Sequence, residues 1–546
     1  MAANTHHRLL SSTFSTSILL PPLKRKTPSS LPSFSLISAR VDSRPLRAAV
    51  IGGGPAGSSA SEALAAAGVE TYLLERSPDG SKPCGGAIPL CMLDEFSIPE
   101  ELIDRRVTRM RIISPSNLHA DFGKTLRPGE HIPMLRREVL DAFLRRRAES
   151  NGTRLIAGLF TALESPSSAK EPYIVHYVKD GSINTMAVDV VIGADGANSR
   201  VAKAIDAGPY AQAIAFQQPR SPSRDSQARL WTAERSWCGL NAGSAHFAEV
   251  AGRRVRLDAE VTGRQVRLDM SCGTSGSAET PTDECRLVRL ECWKRESRGR
   301  IRYSTAERIR LPPTKMERYA DLAEMYVGGD VSPDFYGWVF PKCDHVAVGT
   351  GTTVARSQIK KFQAGIRARA GGKIAGGEVI RVEAHPIPEH PRPRRVRGRV
   401  ALVGDAAGYV TKCSGEGIYF AAKSGRMCGE AIVRIWKKGE GMVTEEELKE
   451  EYLRKWDGEY LGMFRFLDLL QRVFYGSNVG REALVEMCQD EYVQRMTFDS
   501  YFYKRLAEGD RWRDVGLMWK TVASLVKARI VGREMENLME MVRSSW

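Results

Sequence analysis

The sequence predicts an α/β fold in which a parallel sheet is joined by a β-rich second domain and a helical carboxyl-terminal region. Three observations support this fold class. A strand, a glycine-rich turn, a helix and a second strand follow one another between residues 48 and 75. Two later strands, at residues 188–192 and 400–403, each lead into a turn that contains glycine and aspartate. Beyond residue 424 the apolar residues recur at helical spacing.

Length, composition and charge exclude several classes of protein. The 546 residues, 42% hydrophobic and 27% charged, allow about two to four domains of ordinary size. No run of eighteen apolar residues occurs, which argues against membrane-spanning helices. The net charge of +15 includes +5 in residues 1–40 and +5 in residues 218–306. Because no basic face is concentrated in the remaining chain, we expect no nucleic acid partner.

The cysteines and histidines predict no metal site. None of the ten cysteines forms a C-x-x-C pair, and the nine histidines are scattered. His385 and His390 are the nearest histidines in the body, but the prolines between and after them oppose a helix and predict an extended loop.

The amino terminus has the composition of an organelle transit peptide. Residues 1–40 are rich in serine, contain five basic residues and lack acids. A secretory signal would need one long apolar segment, which is absent. The hydroxylated, moderately basic character favours a plastid over a mitochondrion, and the alternative is an ordinary disordered tail. We expect residues 1–43 to be a disordered plastid transit peptide.

The glycine-rich turn predicts a dinucleotide site. Gly52, Gly54 and Gly57 follow the pattern G-x-G-x-x-G between a strand and a helix. The first glycine allows a tight turn, the second lets backbone approach a pyrophosphate, and the third lets helix and strand pack closely. The diphosphate is expected at the start of the helix, beside Pro55 and Ala56.

The end of the second strand restricts the nucleotide. Glu75 is placed to accept a hydrogen bond from a ribose hydroxyl, and Arg76 follows it. A carboxylate there would repel a 2′-phosphate. The site therefore suits FAD or NAD rather than NADP.

Motifs at two further strand ends distinguish between FAD and NAD. Asp195-Gly196 and Gly404-Asp405 end these strands, and Arg137 begins a basic helical stretch. Together they resemble the glutathione-reductase-like flavoproteins of the p-hydroxybenzoate hydroxylase group. The resemblance implies a Rossmann-like FAD-binding domain with a β-sheet substrate domain. It also implies that Asp405 binds the flavin's ribityl chain, that the Asp195 turn lies near the pyrophosphate, and that Arg137 contacts FAD.

Three further segments resemble the geranylgeranyl reductases. Residues 82–88 read K-P-C-G-G-A-I, residues 334–342 read D-F-Y-G-W-V-F-P-K, and residues 414–418 read S-G-E-G-I. Three glycines of these segments, Gly85, Gly415 and Gly417, are expected to belong to the cofactor site. The resemblance implies that electrons from NADPH pass through FAD to saturate three double bonds of a geranylgeranyl chain. The substrate would be geranylgeranyl diphosphate or geranylgeranyl-chlorophyll, and the phytyl product would serve chlorophyll and tocopherol synthesis.

An aromatic segment is the predicted substrate wall. Reduction of an isolated alkene must be assisted by a proton, and positive charge develops at the substituted carbon. Tyr336, Trp338 and Phe340 share one parity on an extended segment and would present π surfaces to an isoprenoid, with Pro341 beside them. Aromatic core packing is the alternative. Gly337 and Pro341 are expected to interrupt regular strand pairing.

The sequence does not distinguish between three candidates for the proton donor. Cys84, beside two glycines that permit close approach of the backbone, either lies near the flavin ring or is a small buried filler. Cys84, Tyr336 and water are the three candidates. We group Cys84, Tyr336 and Trp338 as the predicted catalytic residues.

Residues 218–306 depart from the family pattern, in which residues 211–217 lead directly into residues 307–311. This insert of 89 residues contains fifteen arginines, one lysine and only short strand-like pieces such as 253–257. It reads as translated non-coding sequence or, alternatively, as a genuine module. We expect it to be disordered or a gene-model artefact.

These segments predict a discontinuous domain organisation. The FAD-binding domain takes residues 44–90, 131–205 and 395–440, and the substrate domain takes residues 91–130, 206–217 and 307–394. Residues 441–546 form the helical region, which begins with a capping box of Thr444 and Glu447. Its apolar stripe is expected to pack against the flavin domain. The alternative is that this stripe binds the surface of the thylakoid membrane on the stroma side.

Two other functions share part of this pattern. A flavin monooxygenase has the same glycine and aspartate motifs, and only the Cys84 and Tyr336–Pro341 segments favour reduction. A prenyl-binding escort protein that has lost its flavin would lack the complete nucleotide motifs. The sequence therefore favours a chloroplast reductase over both alternatives.

Overall fold

A computed structural model describes residues 45–80, 82, 84–208, 246–250, 253–257, 301–438 and 442–504. For residues 246–250, 253–257 and 301–305 only the backbone is described. The predicted transit peptide, most of the insert and the stretch beyond residue 504 lie outside these ranges.

The described strands fall into five sheets. In chain order the strands are β1 (Arg47–Ile51), β2 (Glu70–Glu75), β3 (Arg105–Val107), β4 (Arg109–Ile113), β5 (His119–Phe122), β6 (Ile132–Met134), β7 (Arg154–Ala157), β8 (Leu159–Glu164), β9 (Tyr173–Lys179), β10 (Ser182–Val188), β11 (Val190–Gly193), β12 (His246–Val250), β13 (Arg253–Leu257), β14 (Ile301–Arg310), β15 (Leu322–Gly328), β16 (Ser332–Pro341), β17 (Val346–Thr352), β18 (Glu378–Pro388), β19 (Val396–Arg397) and β20 (Val400–Leu402).

The described helices lie around these sheets. In chain order they are α1 (Pro55–Ala66), α2 (Cys91–Glu95), α3 (Arg137–Ser150), α4 (Arg200–Ala204), α5 (Pro313–Arg318), α6 (Ile359–Ile374), α7 (Gly404–Ala407), α8 (Ile418–Lys438), α9 (Glu445–Leu448), α10 (Lys455–Tyr475), α11 (Asn478–Met487) and α12 (Glu491–Tyr503). A π-helical turn, Lys449–Arg454, joins α9 to α10.

The predicted parallel sheet is present. Its six strands have the order β19-β20-β11-β1-β2-β7, and every neighbouring pair is parallel except the edge pair β19–β20. The apolar runs of β1 and β11 are buried, as parallel strands covered on both faces require. Because parallel strands end at one edge, the turns after β1, β2, β11 and β20 come together there.

A second sheet of seven strands has the order β18-β14-β17-β16-β15-β4-β5 and is antiparallel except for the pair β4–β15. Its strand β14 begins at Ile301, six residues inside the predicted insert. A smaller hairpin in the insert pairs β12 with β13, which includes the predicted strand piece 253–257.

Two local predictions in this sheet hold only in part. His385 lies in β18 and pairs with Ser304, because β18 is an edge strand, in which prolines are tolerated, whereas His390 lies beyond the end of this strand. The strand β16 continues through Gly337, which pairs with Tyr326 and Thr350, but its pairing with β15 shifts register between the pairs Tyr326–Gly337 and Gly328–Ser332. A Cβ on Gly337 would lie 2.5 Å from the Cδ1 atom of Ile366, so this glycine makes room for helix α6.

The carboxyl-terminal helices join both sheets. The capping box is present, since Thr444 Oγ1 accepts from the Glu447 amide and the Glu447 carboxylate accepts from the Thr444 amide. Tyr452, Trp456 and Phe464 enter the core of the parallel sheet, as expected. Later helices pack with the seven-stranded sheet instead, through residues such as Phe498. None of the helices in the described ranges is both long and apolar enough to span a membrane.

Candidate functional site

The glycine turn after β1 has the geometry that the motif predicts. Gly52 has a φ of +107°, and a Cβ there would lie 2.4 Å from the Ala194 carbonyl oxygen. A Cβ on Gly57 would lie 1.8 Å from the Gly52 oxygen, so α1 and β1 meet in close contact. Gly54 differs, because the atom nearest to a Cβ at that position would be Arg137 Nη2, at 3.9 Å. The backbone at Gly54 is therefore open to a ligand, and Pro55 and Ala56 begin the helix behind it.

Glu75 lies against this turn at the carboxyl end of β2. Its carboxylate accepts from the Gly53 amide at 2.7 Å and from the Ser77 amide at 2.9 Å. Arg76 is exposed beside it. Contact with a ribose remains a prediction, which this placement of Glu75 permits.

Two arginines of α3 lie beside the turn. Arg137, as predicted from the sequence, is buried and forms two hydrogen bonds of 2.9 and 2.8 Å with Asp141. Burial alone would lower the pKa of Arg137, but Asp141 outweighs burial and raises it. Arg145 was missed by the sequence analysis, although it donates to the Gly53 carbonyl at 2.9 Å and also to the Pro78 carbonyl. Its position two helical turns after Arg137 was the available signal.

The other two strand ends differ in what their aspartates contact. Asp195 accepts from Ser199 Oγ, the N-cap of α4, at 2.5 Å and from the Arg200 amide at 2.6 Å, while Gly196 has a φ of +79°. Asp405 instead pairs with Lys82, whose Nζ lies 2.6 Å from its carboxylate. In the sequence, Lys82 stands out only as part of the K-P-C-G-G-A-I segment, and no local pattern indicates its contact with Asp405.

Close packing fixes the turn that carries Asp405. Gly404 has a φ of +55°, and a Cβ there would lie 2.9 Å from the Ala56 Cβ. A Cβ on Gly417 would lie 3.5 Å from the Asp405 carboxylate. These glycines therefore hold α1, α7 and the start of α8 together around the same edge of the sheet.

The segment around Cys84 rests on the aromatic strand β16. A Cβ on Gly85 would lie 2.9 Å from the Phe340 ring, and one on Gly86 would lie 1.7 Å from Lys342 Nζ. Buried Lys342 donates to the carbonyls of Gly85 and Leu135 at 2.6 and 2.7 Å. Burial lowers the pKa of Lys342 to about 8. The structure thus brings two motifs that are about 250 residues apart in the sequence into direct contact.

The predicted aromatic residues lie in one row. Ring centroids are 5.9 Å apart for Tyr336 and Trp338, and 6.4 Å apart for Trp338 and Phe340. Tyr336 and Trp338 are only 7% and 6% exposed, so protein covers most of each ring, and Trp338 Nε1 has no hydrogen-bond partner among the residues that the structure describes. Phe340 and Cys84 are half-buried, whereas Pro341 is buried and pairs with Val346. The open side of the row is therefore at Phe340 and Cys84.

The loop 414–417, with the sequence S-G-E-G, joins this row to the edge of the parallel sheet that carries Asp405. Tyr336 donates to the Ser414 carbonyl at 2.7 Å, and a Cβ on Gly415 would lie 2.8 Å from the Phe335 ring. Glu416 pairs with Lys504 at 2.6 Å, and both side chains are buried. Neither Glu416 nor Lys504 was predicted as a site residue, because their contact spans 88 residues.

One group of possible metal ligands occurs among the described residues. Cys343, Asp344 and His345 place their ligand atoms within 4.8 Å of one another. Asp344 accepts from Cys343 Sγ at 3.1 Å and contacts His345 Nδ1 at 2.8 Å, and Arg310 lies 3.4 Å from its carboxylate. These contacts account for the grouping without an ion.

This fold and site define a class, the FAD-binding flavoproteins. A family model described as an FAD binding domain matches residues 46–216. The fold is similar to a geranylgeranyl bacteriochlorophyll reductase-like protein of Thermoplasma acidophilum, with a TM-score of 0.58, 17% identity and coverage of 85% of this chain and 98% of that chain. It is also similar to p-nitrophenol 4-monooxygenase of Pseudomonas putida, with a TM-score of 0.53, 14% identity and coverage of 84% and 98%.

Sequence relatives identify the family within that class. The chloroplastic geranylgeranyl diphosphate reductase of Arabidopsis thaliana is 50% identical over 506 residues, covering 91% of this chain and 89% of the relative. The geranylgeranyl diphosphate reductase of Synechocystis is 50% identical over 489 residues, covering 88% and 98%. The chain belongs to the geranylgeranyl diphosphate reductase family, as the sequence motifs predicted.

Proposed function

We propose that this protein is an FAD-containing reductase that saturates three double bonds of a geranylgeranyl chain, with NADPH as the electron donor. The observation that carries the proposal is the packing of Gly85, the neighbour of Cys84 in the chain, on the Phe340 ring of the aromatic row. That row lies against the loop 414–417, which in turn contacts the edge carrying Asp405. A nucleotide-binding edge and an apolar, aromatic surface thus adjoin each other.

The residues at the edge fit FAD. Gly54 leaves the backbone open where a pyrophosphate would lie, and buried Arg137 supplies positive charge within reach of it. We infer that Glu75 holds the ribose and Asp405 the ribityl hydroxyls, with Lys82 adjusting to the bound cofactor. When bound, FAD would supply the hydride that the alkene accepts.

The residues of the aromatic row would bind the apolar chain and exclude water. A positive charge that develops on an alkene carbon is stabilised by π surfaces within about 6 Å of the ring centre. We infer that the chain lies along Phe340, with Tyr336 and Trp338 behind it. The proton donor would then be Cys84, Tyr336 or water.

An anaerobic assay tests the activity. Purified full-length protein should be yellow, and after reduction with dithionite it should convert geranylgeranyl diphosphate into products heavier by two hydrogens for each saturated bond. A monooxygenase would give no product without oxygen. A colourless protein that binds the prenyl chain without product would instead indicate the escort role.

The setting of the enzyme is also a proposal. The plant relatives are named chloroplastic, which supports the chloroplast as the location of this chain. We propose that it acts on geranylgeranyl diphosphate or geranylgeranyl-chlorophyll at the stroma side of the thylakoid membrane, with a membrane protein partner. Import of a fluorescent fusion with residues 1–43, followed by separation of stroma and thylakoids, tests both locations.

A further inference from the structure

The loop 414–417 carries a buried carboxylate that neither the cofactor nor the aromatic row accounts for. Glu416 Oε2 accepts from Lys504 Nζ at 2.6 Å, and the two side chains are only 8% and 3% exposed. The second oxygen, Oε1, is buried and has no hydrogen-bond partner among the described residues. An unpaired carboxylate oxygen in such surroundings is costly, so it needs a structural or functional reason.

Lys504 is held in place by its own backbone and by aromatic rings. It follows α12 with a φ of +54°, a left-handed conformation that is unfavourable for a lysine. Its Nζ lies 4.2 Å from the centre of the Tyr501 ring and 5.9 Å from that of Tyr419. The strained residue is thus fixed so that its ammonium group reaches Glu416.

The pair lies next to the candidate proton donors. Tyr501 packs against the core cluster that contains Tyr336 and Trp338. Burial raises the pKa of Tyr501 well above its usual range, and the nearby groups that raise it further include Glu416, Tyr336 and Cys84. Tyr501 therefore contacts both Lys504 of the pair and the core cluster that contains Tyr336.

We propose that Glu416 and Lys504 form a proton store that recharges the donor at the alkene between successive reductions, with Tyr501 as the link. This inference rests on the proposed function. In each cycle a π bond breaks and two C–H bonds form, one with a hydride from the reduced flavin and one with a proton. The donor loses its O–H or S–H proton, and an N–H proton of Lys504 replaces it through Tyr501 or Glu416. Solvent then returns a proton to Lys504.

The surroundings of the pair suit a group that gains and loses protons. Burial raises the pKa of Glu416 and lowers that of Lys504. Burial therefore disfavours the charged form of each group, and the attraction between the two charges opposes this effect. The titratable groups that face the pair come from three helices: Cys91 from α2, Tyr419 from α8 and Tyr501 from α12. Burial raises the pKa of Cys91 to about 11, so this thiol stays protonated near neutral pH.

Time courses of the holoenzyme in excess dithionite test the proposal, since each reduced flavin supplies one hydride and must be reduced again before the next double bond. The protein is mixed with geranylgeranyl diphosphate without oxygen, in H₂O and D₂O and across pH, and the successive products are counted by mass. We expect Glu416→Gln and Lys504→Met to slow the second and third reductions about tenfold or more, with a larger solvent isotope effect. Glu416→Asp should recover most of the rate. Tyr501→Phe should show the same isotope effect if the pair variants fail to fold.

The control is a lysine paired with a buried glutamate outside the site. Lys373 lies 2.9 Å from buried Glu324 on the seven-stranded sheet, so Lys373→Met should leave the isotope effect and pH profile unchanged. Wild-type rates, isotope effects and pH profiles in flavin-loaded Glu416→Gln, Lys504→Met and Tyr501→Phe would overturn the proposal. Absence of product from the flavin-loaded wild type would instead overturn the proposed function.

Discussion

Arg145 and Gly53 are joined by a hydrogen bond of 2.9 Å from the guanidinium to the carbonyl oxygen. The arginine is buried, and its Cδ would lie 3.0 Å from a Cβ on Gly53. It therefore fixes the back of the glycine turn whose front, at Gly54, is open to a ligand. A side chain from α3 thus determines the shape of a turn that the sequence motif describes only in part.

Arg145→Met should weaken both the fold and the cofactor site. Loss of a hydrogen bond from a charged donor costs about 1.5 to 3 kcal/mol, and we expect FAD affinity to fall about tenfold as the turn relaxes. Thermal unfolding and flavin content after dialysis measure the two effects. Arg146→Met is the matched control, since Arg146 is exposed on the same helix. Equal effects of both variants would contradict the role assigned to Arg145.

Gly86→Ala should disrupt the contact between the Cys84 segment and β16. Gly86 has a φ of +75°, and the added Cβ would lie 1.7 Å from Lys342 Nζ and 2.1 Å from the Leu135 oxygen. Backbone strain of this kind costs about 1 to 3 kcal/mol before the clash is counted. The melting temperature should fall and chain reduction should be lost. Gly458→Ala, where nothing lies within 4 Å, is the control, and a stable active Gly86→Ala would refute the contact.

Lys342 should make stability rise with pH in the alkaline range. Its pKa is lowered by burial to about 8, so between about 8 and its unfolded value the unfolded chain binds more protons than the folded one. The penalty for burying the charge is therefore present below pH 8 and disappears as pH rises toward 10.5. Compared with Lys342→Met, the wild type should gain on the order of 2 to 3 kcal/mol across this window in urea unfolding. A difference in unfolding free energy between the two proteins that does not change with pH would contradict a buried ammonium group at Lys342.

The two side-chain donor candidates should differ when each is removed. Tyr336 already donates its hydroxyl proton to the Ser414 carbonyl, whereas Cys84 Sγ accepts from the Gly86 amide at 3.3 Å and keeps its proton available. We expect Cys84→Ala to slow anaerobic chain reduction by about a hundredfold or more, and Tyr336→Phe by less than tenfold. Flavin content serves as the control for folding. The reverse order would assign the proton to Tyr336, and two active variants would assign it to water.

Removal of residues 218–306 should leave a working protein. Residues 212–217 would then precede Glu307 directly and could take the strand positions of 301–306 beside β17 and β18. Both segments supply residues suited to a strand at these positions. We expect the shortened chain to bind FAD and to reduce geranylgeranyl diphosphate at least as fast as the full chain. An insoluble or flavin-free product would show that the insert is an essential module.

Local patterns in the sequence determined the nucleotide edge. The motif at Gly52–Gly57 predicts β1, α1 and β2, because close packing and a tight turn require glycine at fixed spacing whatever lies elsewhere. Motif spacing also indicated the ends of β11 and β20. The alternation of Tyr336, Trp338 and Phe340 placed their rings in one row, since side chains of a strand alternate between its faces.

Only the tertiary structure decided which distant segments meet. Arg145 reaches Gly53, Lys342 reaches Gly85, and Lys504 reaches Glu416, although no local pattern links the members of each pair. A buried cation needs acceptors from whichever segment lies against it, and that choice depends on how the sheets and the terminal helices pack. For the same reason the sequence did not show that β16 continues through Gly337. The space that Gly337 leaves is filled by a helix residue distant in the chain, Ile366.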